Sequence, residues 1–346
     1  MKFLSYMLIL TLGLSSSALE QSIPKPDDKP ADMSKPVQVY ILMGQSNMIG
    51  FGKISASTGK KKKKGKPGVT LEAAVKEKKL YPYLIDDAGN WTERKDVRNV
   101  RVMDFKGGMK VFNNEFMTIK GKTFGPEIGI GHQLGNAVDA PVLILKSCIG
   151  NRSLGWDLLP PGSSPFTFKG KEYQGYQGTS DPSKKPEGWY AGIQYDKDIA
   201  NVKKVLSDLG TYYPGATKYE VAGFFWWQGD KDRYSADLAK LYERNLVQLI
   251  KQLRVEFKSP DAKFVCATLG QTKKGAGKND GLILDATLAV DGESGKYPEF
   301  KGNVSSVYTN PLIKGGASNS HYGGNPETYM NVGEAMGKAM VDLLKK

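Results

Sequence analysis

The sequence predicts an α/β protein built on a mostly parallel sheet with helices on both faces. Two observations carry this. Apolar, β-branched runs of strand length alternate with stretches of helical periodicity, the pattern that buries a parallel sheet between two helical layers. Three of those runs end in polar clusters, at Ser46, at Gly150 and Asn151, and at Gln228, Gly229 and Asp230. A parallel sheet brings all three ends to one edge, the edge where open α/β sheets bind ligands.

In chain order, MKFLSYMLILTLGLSSSALE has an early lysine, an apolar stretch from Phe3 to Leu14 and small residues up to Ala18. That is the pattern of a secretory signal over residues 1–18. The apolar stretch is too short to span a bilayer, so no stable membrane anchor is expected and the chain is expected to be secreted or periplasmic. Residues 19–36 carry prolines 24, 26, 30 and 36 and read as a linker. One domain is expected over 37–346. Its first strand starts at Val37, and Gly44 ends it with a residue that tolerates positive φ, allowing a sharp turn that presents Ser46. Residues 53–99 read as a basic insertion, with seven lysines and no acid from Lys53 to Lys66. A short strand is expected at 100–103, a helix at 124–134 with His132 in a structural role, and a buried strand at 141–145. Helices at 196–209, 234–257 and 327–344 and strands at 219–227 and 263–269 complete the pattern.

Composition narrows the class. Of 346 residues, 40% are hydrophobic and 10% aromatic, which describes an ordinary globular chain and not a disordered one. The formal charge of +13 is concentrated in the lysine run. Such a run is ordinarily a solvated loop, and its functional alternative is a patch for an acidic polysaccharide. Nucleic acid is not an expected partner, because the chain reads as exported and lacks interleaved basic and aromatic residues. Cys148 and Cys266 sit in apolar strand runs and read as buried thiols; with two histidines they make no zinc site, and no metal or cofactor is expected.

A serine nucleophile needs a base, a group that orients the base, and donors for the oxyanion. Besides His132 the chain has only His321, in the glycine-rich loop GGASNSHYGGNP before the last helix, and a loop histidine at the ligand edge could serve Ser46.

GQSNM after the first strand, FGPE before a helix, KSCIGN at a strand end, WWQGD and the late loop histidine together resemble the SGNH-type carbohydrate esterases, in particular the sialate O-acetylesterase and acetylxylan esterase group. The resemblance runs in consistent order from about Val37 to Lys345. It implies a flavodoxin-like three-layer α/β/α sandwich and a serine esterase that removes O-acetyl groups from a carbohydrate such as sialic acid or xylan, anionic in one version. By position, Ser46 matches the nucleophile, His321 the base and Gly150 an oxyanion glycine, with Gln228 and the Ser46 N–H as further oxyanion donors. Three departures stand out: Asn151 follows Gly150 where many relatives have a second glycine, Asp230 replaces the usual Glu, and Ser318 stands where relatives often place an acid. The acid that orients His321 is therefore expected to be Asp230, with Asp232 as the second choice. Asn151, Arg152, Trp156 and Trp227 are candidate substrate contacts, and Trp189 and Trp226 are further aromatic candidates. Two rivals remain open: a catalytically silent sugar-binding relative, and an esterase acting on small non-sugar esters. The sequence sets no oligomeric state.

Overall fold

The computed structural model describes residues 23–56, 69–105, 107–178 and 188–346. The expected signal at 1–18 and most of the lysine run, residues 57–68, lie outside the described residues.

Val37–Gly44 (β1) runs through the middle of a seven-stranded sheet. Val37, Val39, Ile41 and Met43 enter one core and Tyr40 and Leu42 the other, which is why this segment reads as one apolar run and not as an alternation. The sheet continues with Glu93–Phe105 (β2), Gly108–Thr118 (β3), Val142–Ser147 (β4), Tyr219–Trp227 (β5), Lys263–Ala267 (β6) and Val304–Val307 (β7). The order is β7-β6-β5-β1-β4-β2-β3, parallel throughout except for the antiparallel hairpin of β2 and β3. After β4 the chain crosses to β5 on the other flank of β1. The carboxyl ends of β1, β4 and β5 thus surround the topological switch point, where ligands enter such sheets.

The helices are Ser46–Ile49 (α1), Glu127–Ala137 (α2), Ile193–Ser207 (α3), Ala236–Glu256 (α4), Lys278–Ala289 (α5) and Pro326–Leu344 (α6), with short ones at Leu71–Lys76 and Leu209–Tyr212. α2 and α6 cover one face through Ile130, Leu134, Met336 and Met340, while α3, α4 and α5 cover the other through Ile199, Val202, Leu249 and Ile283. Local signals set the ends: Ser235 accepts from the Leu238 N–H at the start of α4, and Asn325 accepts from the Glu327 N–H before Pro326 opens α6. The three-layer sandwich is as expected, although β2 lies outside β4 and not against β1.

Two boundaries change. The short strand expected at 100–103 is a thirteen-residue strand, so residues 93–99 belong to the central sheet and not to the insertion. Residues 23–36 are less a free linker than a strap along the surface, tied by ion pairs of Lys25 with Asp87 and Lys35 with Asp139. Strands β3 and β7 and helix α5 went unread. β3 is an edge strand with a single buried residue, β7 is four residues of which only Val304 is buried, and α5 contains Gly281, so none shows a strong apolar period.

Candidate active site

The turn after β1 is fixed by two glycines. Gly44 has φ of +144°, and a Cβ there would lie 2.5 Å from the Trp227 carbonyl oxygen on β5. Gly50 has φ of +92°, and a Cβ would meet the Gly125 Cα at 2.1 Å. Between them Ser46 opens α1 at 8% exposure. Its N–H, the first of a helix, donates to no described residue and is free to face a ligand.

The FGPE and KSCIGN motifs hold this turn from beneath. Lys146 Nζ donates to Glu127 (2.5 Å) and to the Ile49 carbonyl oxygen (3.1 Å), and the other Glu127 oxygen accepts from the Gly125 N–H (2.9 Å). Both side chains are buried. Burial pushes the Lys146 pKa down, and the Glu127 carboxylate works against that shift. His132, in the same layer, is buried beside Tyr83, and desolvation drives its pKa to about 3; it is a neutral structural residue.

His321 arrives from the opposite side. The segment Ser318–Gly324 packs against α1, and the imidazole stacks on Phe51, five residues after Ser46, with centroids 3.9 Å apart and planes 7° from parallel. The backbone is left-handed at His321 (φ 51°), Tyr322 (φ 52°) and Gly323 (φ 66°). Such conformations cost ~1–3 kcal/mol at non-glycine residues and persist only where packing imposes them. Here Tyr322 imposes it: its ring is fully buried and stacked on Trp227, and its hydroxyl accepts from the Gly270 N–H. Desolvation holds the His321 pKa below the ordinary histidine value, and the nearby Asp230 charge raises it part of the way back.

Asp230 Oδ1 accepts from Ser318 Oγ (2.5 Å) and from Arg233 Nε (2.8 Å). A carboxylate therefore stands against the position three residues before the histidine, although residue 318 is itself a serine. Asp230 makes no hydrogen bond to His321; it acts on the imidazole through charge. Asp232 is a different kind of acid. It is fully buried and accepts from the Leu154 and Gly155 N–H groups and from Gln228, and burial pushes its pKa up to about 6. It fastens loops and does not reach the histidine.

The remaining site expectations divide. A Cβ placed on Gly150 would lie 3.6 Å from Ser46 Cβ, and the Gly150 N–H donates to no described residue, so two unused backbone donors adjoin the serine. Gln228 is not a third. Its Nε2 is taken by the Arg152 carbonyl oxygen (2.8 Å), Asp232 (2.6 Å) and Gln45 (3.4 Å), because it lies beneath the cleft as a brace at 1% exposure. Trp227 also departs from expectation: with no exposed surface it cannot touch a substrate, and it supports Tyr322 instead. Trp156 is half-buried among Phe166, Phe168 and Tyr173. Asn151 is exposed at φ 59° on the rim. Beside it Arg152 lies over the exposed ring of Trp189 at 4.6 Å and donates to Gln194. Phe51 was not anticipated from sequence, although its place five residues after the serine was the available signal. Among the described residues, no group of three His, Cys, Asp or Glu could hold a metal ion, and both thiols are buried.

Residues 176–340 match the model of the family described as carbohydrate esterase, sialic acid-specific acetylesterase. Over that stretch, a little under half of the chain, the sequence is similar to that family. The class is carboxylic ester hydrolase, and the match takes in Gln228, Asp230, Ser318 and His321, while Ser46 and Gly150 lie upstream of it. No curated protein matches the chain. Two solved structures share its fold at low identity. One is a protein from Arabidopsis thaliana (15% identity, TM-score 0.51, covering 88% of this chain and 98% of that one). The other is a carbohydrate acetylesterase from Xanthomonas citri (14% identity, TM-score 0.51), of which this chain, over 87% of its own length, covers 55%.

Proposed function

We propose that this esterase removes O-acetyl groups from a carbohydrate by a serine mechanism, outside the cytoplasm if residues 1–18 act as a signal. Ser46 Oγ attacks the acetyl carbonyl carbon while His321 takes its proton. The oxyanion forms against the Ser46 and Gly150 N–H groups, donors fixed in place before charge develops. Collapse expels the sugar oxygen, which receives the proton from His321, and water activated by the same imidazole then releases acetate from the serine. Asp230 stabilises the imidazolium formed in each half-reaction. The observation that carries this reading is the convergence of His321, stacked on Phe51, with a serine beside two unbonded N–H groups. Acetate release from acetylated xylan, acetylated sialic acid and p-nitrophenyl acetate tests it. Ser46→Ala and His321→Ala should each lose several orders of magnitude in kcat and be non-additive together. Full activity in Ser46→Ala ends the serine mechanism.

One observation favours the silent sugar-binding rival: Ser46 Oγ makes no hydrogen bond to His321. Catalytic hydrogen bonds are often long until substrate is bound, so the same assay decides. A wild type that binds sugars and releases no acetate from any of the three substrates supports the rival.

A further inference from the structure

The hairpin of β2 and β3 rises past the sheet edge that carries Ser46. Arg101 is level with Lys146 on β4, and Met103, Asp104 and Phe105 continue beyond Val102, the last residue paired to that strand. At ~3.3 Å per residue its tip stands about 10 Å above the start of the Cys148 loop, and two strand spacings, again about 10 Å, separate it laterally from β1. At this tip Phe105 is 54% exposed, and Phe112, lower on the hairpin across from Arg101 and Val102, is 41% exposed. Lys110 Nζ lies over both rings, 5.5 and 5.3 Å from their centroids, and the Arg101 guanidinium lies over Phe112 at 5.0 Å. Neither cation forms an ion pair with a described residue; the nearby acids Asp104 and Glu115 pair with Lys197 and Lys120.

Two exposed rings with uncompensated cations stacked on them, on the hairpin that closes one side of the sheet beside a ligand edge, are more than surface noise. The rings offer flat apolar faces to the C–H faces of sugars, and the cations need anions. We propose that the hairpin tip binds a carboxylate-bearing polysaccharide chain and that sugar units flanking the acetylated one lie along it. This rests on the esterase reading of Ser46 for the placement of the acetylated unit, whereas binding at the tip does not require turnover.

The experiment measures Kd for an oligogalacturonate by titration calorimetry in 0.1 M salt, and in parallel kcat/KM for p-nitrophenyl acetate. It uses the full chain, Lys110→Gln, and Phe105→Ala combined with Phe112→Ala. The expected result is a Kd raised about tenfold in both variants, with p-nitrophenyl acetate turnover within twofold of wild type. Wild type that does not bind the oligomer overturns the proposal. So does binding that weakens in Lys110→Gln yet is unchanged in the double phenylalanine variant, because that is plain ion exchange. A variant that converts a dimer to a monomer without changing Kd assigns the patch to a second copy of the chain and also overturns it. Loss of oligomer binding in the variants of a protein inert toward every ester leaves the surface standing while the esterase reading falls.

Discussion

On one side of Ser46, Lys146 and Glu127 are buried and bonded to each other, to Gly125 and to Ile49. On the other side His321 is partly exposed, its backbone is left-handed, and its acid Asp230 is shared between Ser318 and Arg233 without touching the imidazole. Both sides come from motif residues, yet they do opposite work. The Lys146 side is saturated and dry, so it can hold a turn but has no free group to offer a substrate. The His321 side has an imidazole with an unused face and a charge close enough to tune it. On the proposed mechanism, the chemistry falls to the half-exposed imidazole, and not to every member of a motif.

The largest effect expected from breaking this contrast lies on the His321 side. Asp230→Asn keeps the shape and removes the charge, and kcat should fall strongly, by as much as the ~10⁴-fold seen in the best-studied triad. The pH profile gives an independent reading. The Asp230 carboxylate raises the His321 pKa against desolvation, so its removal lets that pKa fall further. The acid limb of kcat/KM should therefore move to lower pH even as kcat drops. An unchanged kcat with an unmoved limb would remove Asp230 from the mechanism.

The Lys146 side should fail in stability. Lys146→Met leaves Glu127 buried without its partner and should cost ~3–5 kcal/mol in urea unfolding. Adding Glu127→Gln removes the stranded charge and should recover much of that loss. A double variant as unstable as the single one would show that the turn depends on the bonds to Ile49 and Gly125 and not on charge balance.

How far this division was legible in sequence follows from the same physics. β1, β4 and β5 announced themselves because both of their faces are buried, and the polar ends of those runs located the cleft. Position in the sequence also singled out Asp230 and His321, which the fold brings close enough for the carboxylate to act on the imidazole through charge. Gln228 was misassigned as an oxyanion donor because its type and place were right while its amide is spent on Asp232, Arg152 and Gln45, contacts from chain-distant loops that no spacing reveals. Trp227 was read as a sugar contact because tryptophan suits that work, and only packing against Tyr322 shows it as core. Lys146 and Glu127 carry no mark in sequence as a pair, since they come from a strand and a helix 19 residues apart.

A third buried acid sharpens the contrast between paired and unpaired charge. Asp198 accepts from Ser147 and Gln194, has no cation bonded to it, and is pushed by burial to a pKa of about 8. The folded pKa lies above the unfolded value near 3.8, so the folded state holds a proton that the unfolded state releases between those limits. Stability should fall as pH rises from about 4 to 8, by up to ~1.4 kcal/mol per pH unit from this group. Asp198→Asn removes that dependence. Its melting temperature should match wild type near pH 4 and exceed it near pH 8, and identical slopes for the two proteins would mean Asp198 is ionised in the fold.

The smallest effect belongs to Ser318, and it tests how the displaced acid works. Ser318→Ala removes one of the two donors that hold Asp230, while Arg233 still grips the same oxygen. The lost hydrogen bond to a charged group is worth ~1.5–3 kcal/mol at most, and because Arg233 remains, kcat should fall by less than ~10-fold. Ser318→Asp asks the harder question. It sets a second carboxylate within hydrogen-bond reach of Asp230, and two such groups cannot both ionise cheaply, so one should keep a proton at neutral pH. One negative charge then serves His321 as before, now delocalised over the pair, and kcat should not exceed that of wild type. A Ser318→Asp enzyme faster than wild type, and still fast when combined with Asp230→Asn, would show that residue 318 reaches the imidazole directly and that Asp230 is a substitute acting from a longer distance.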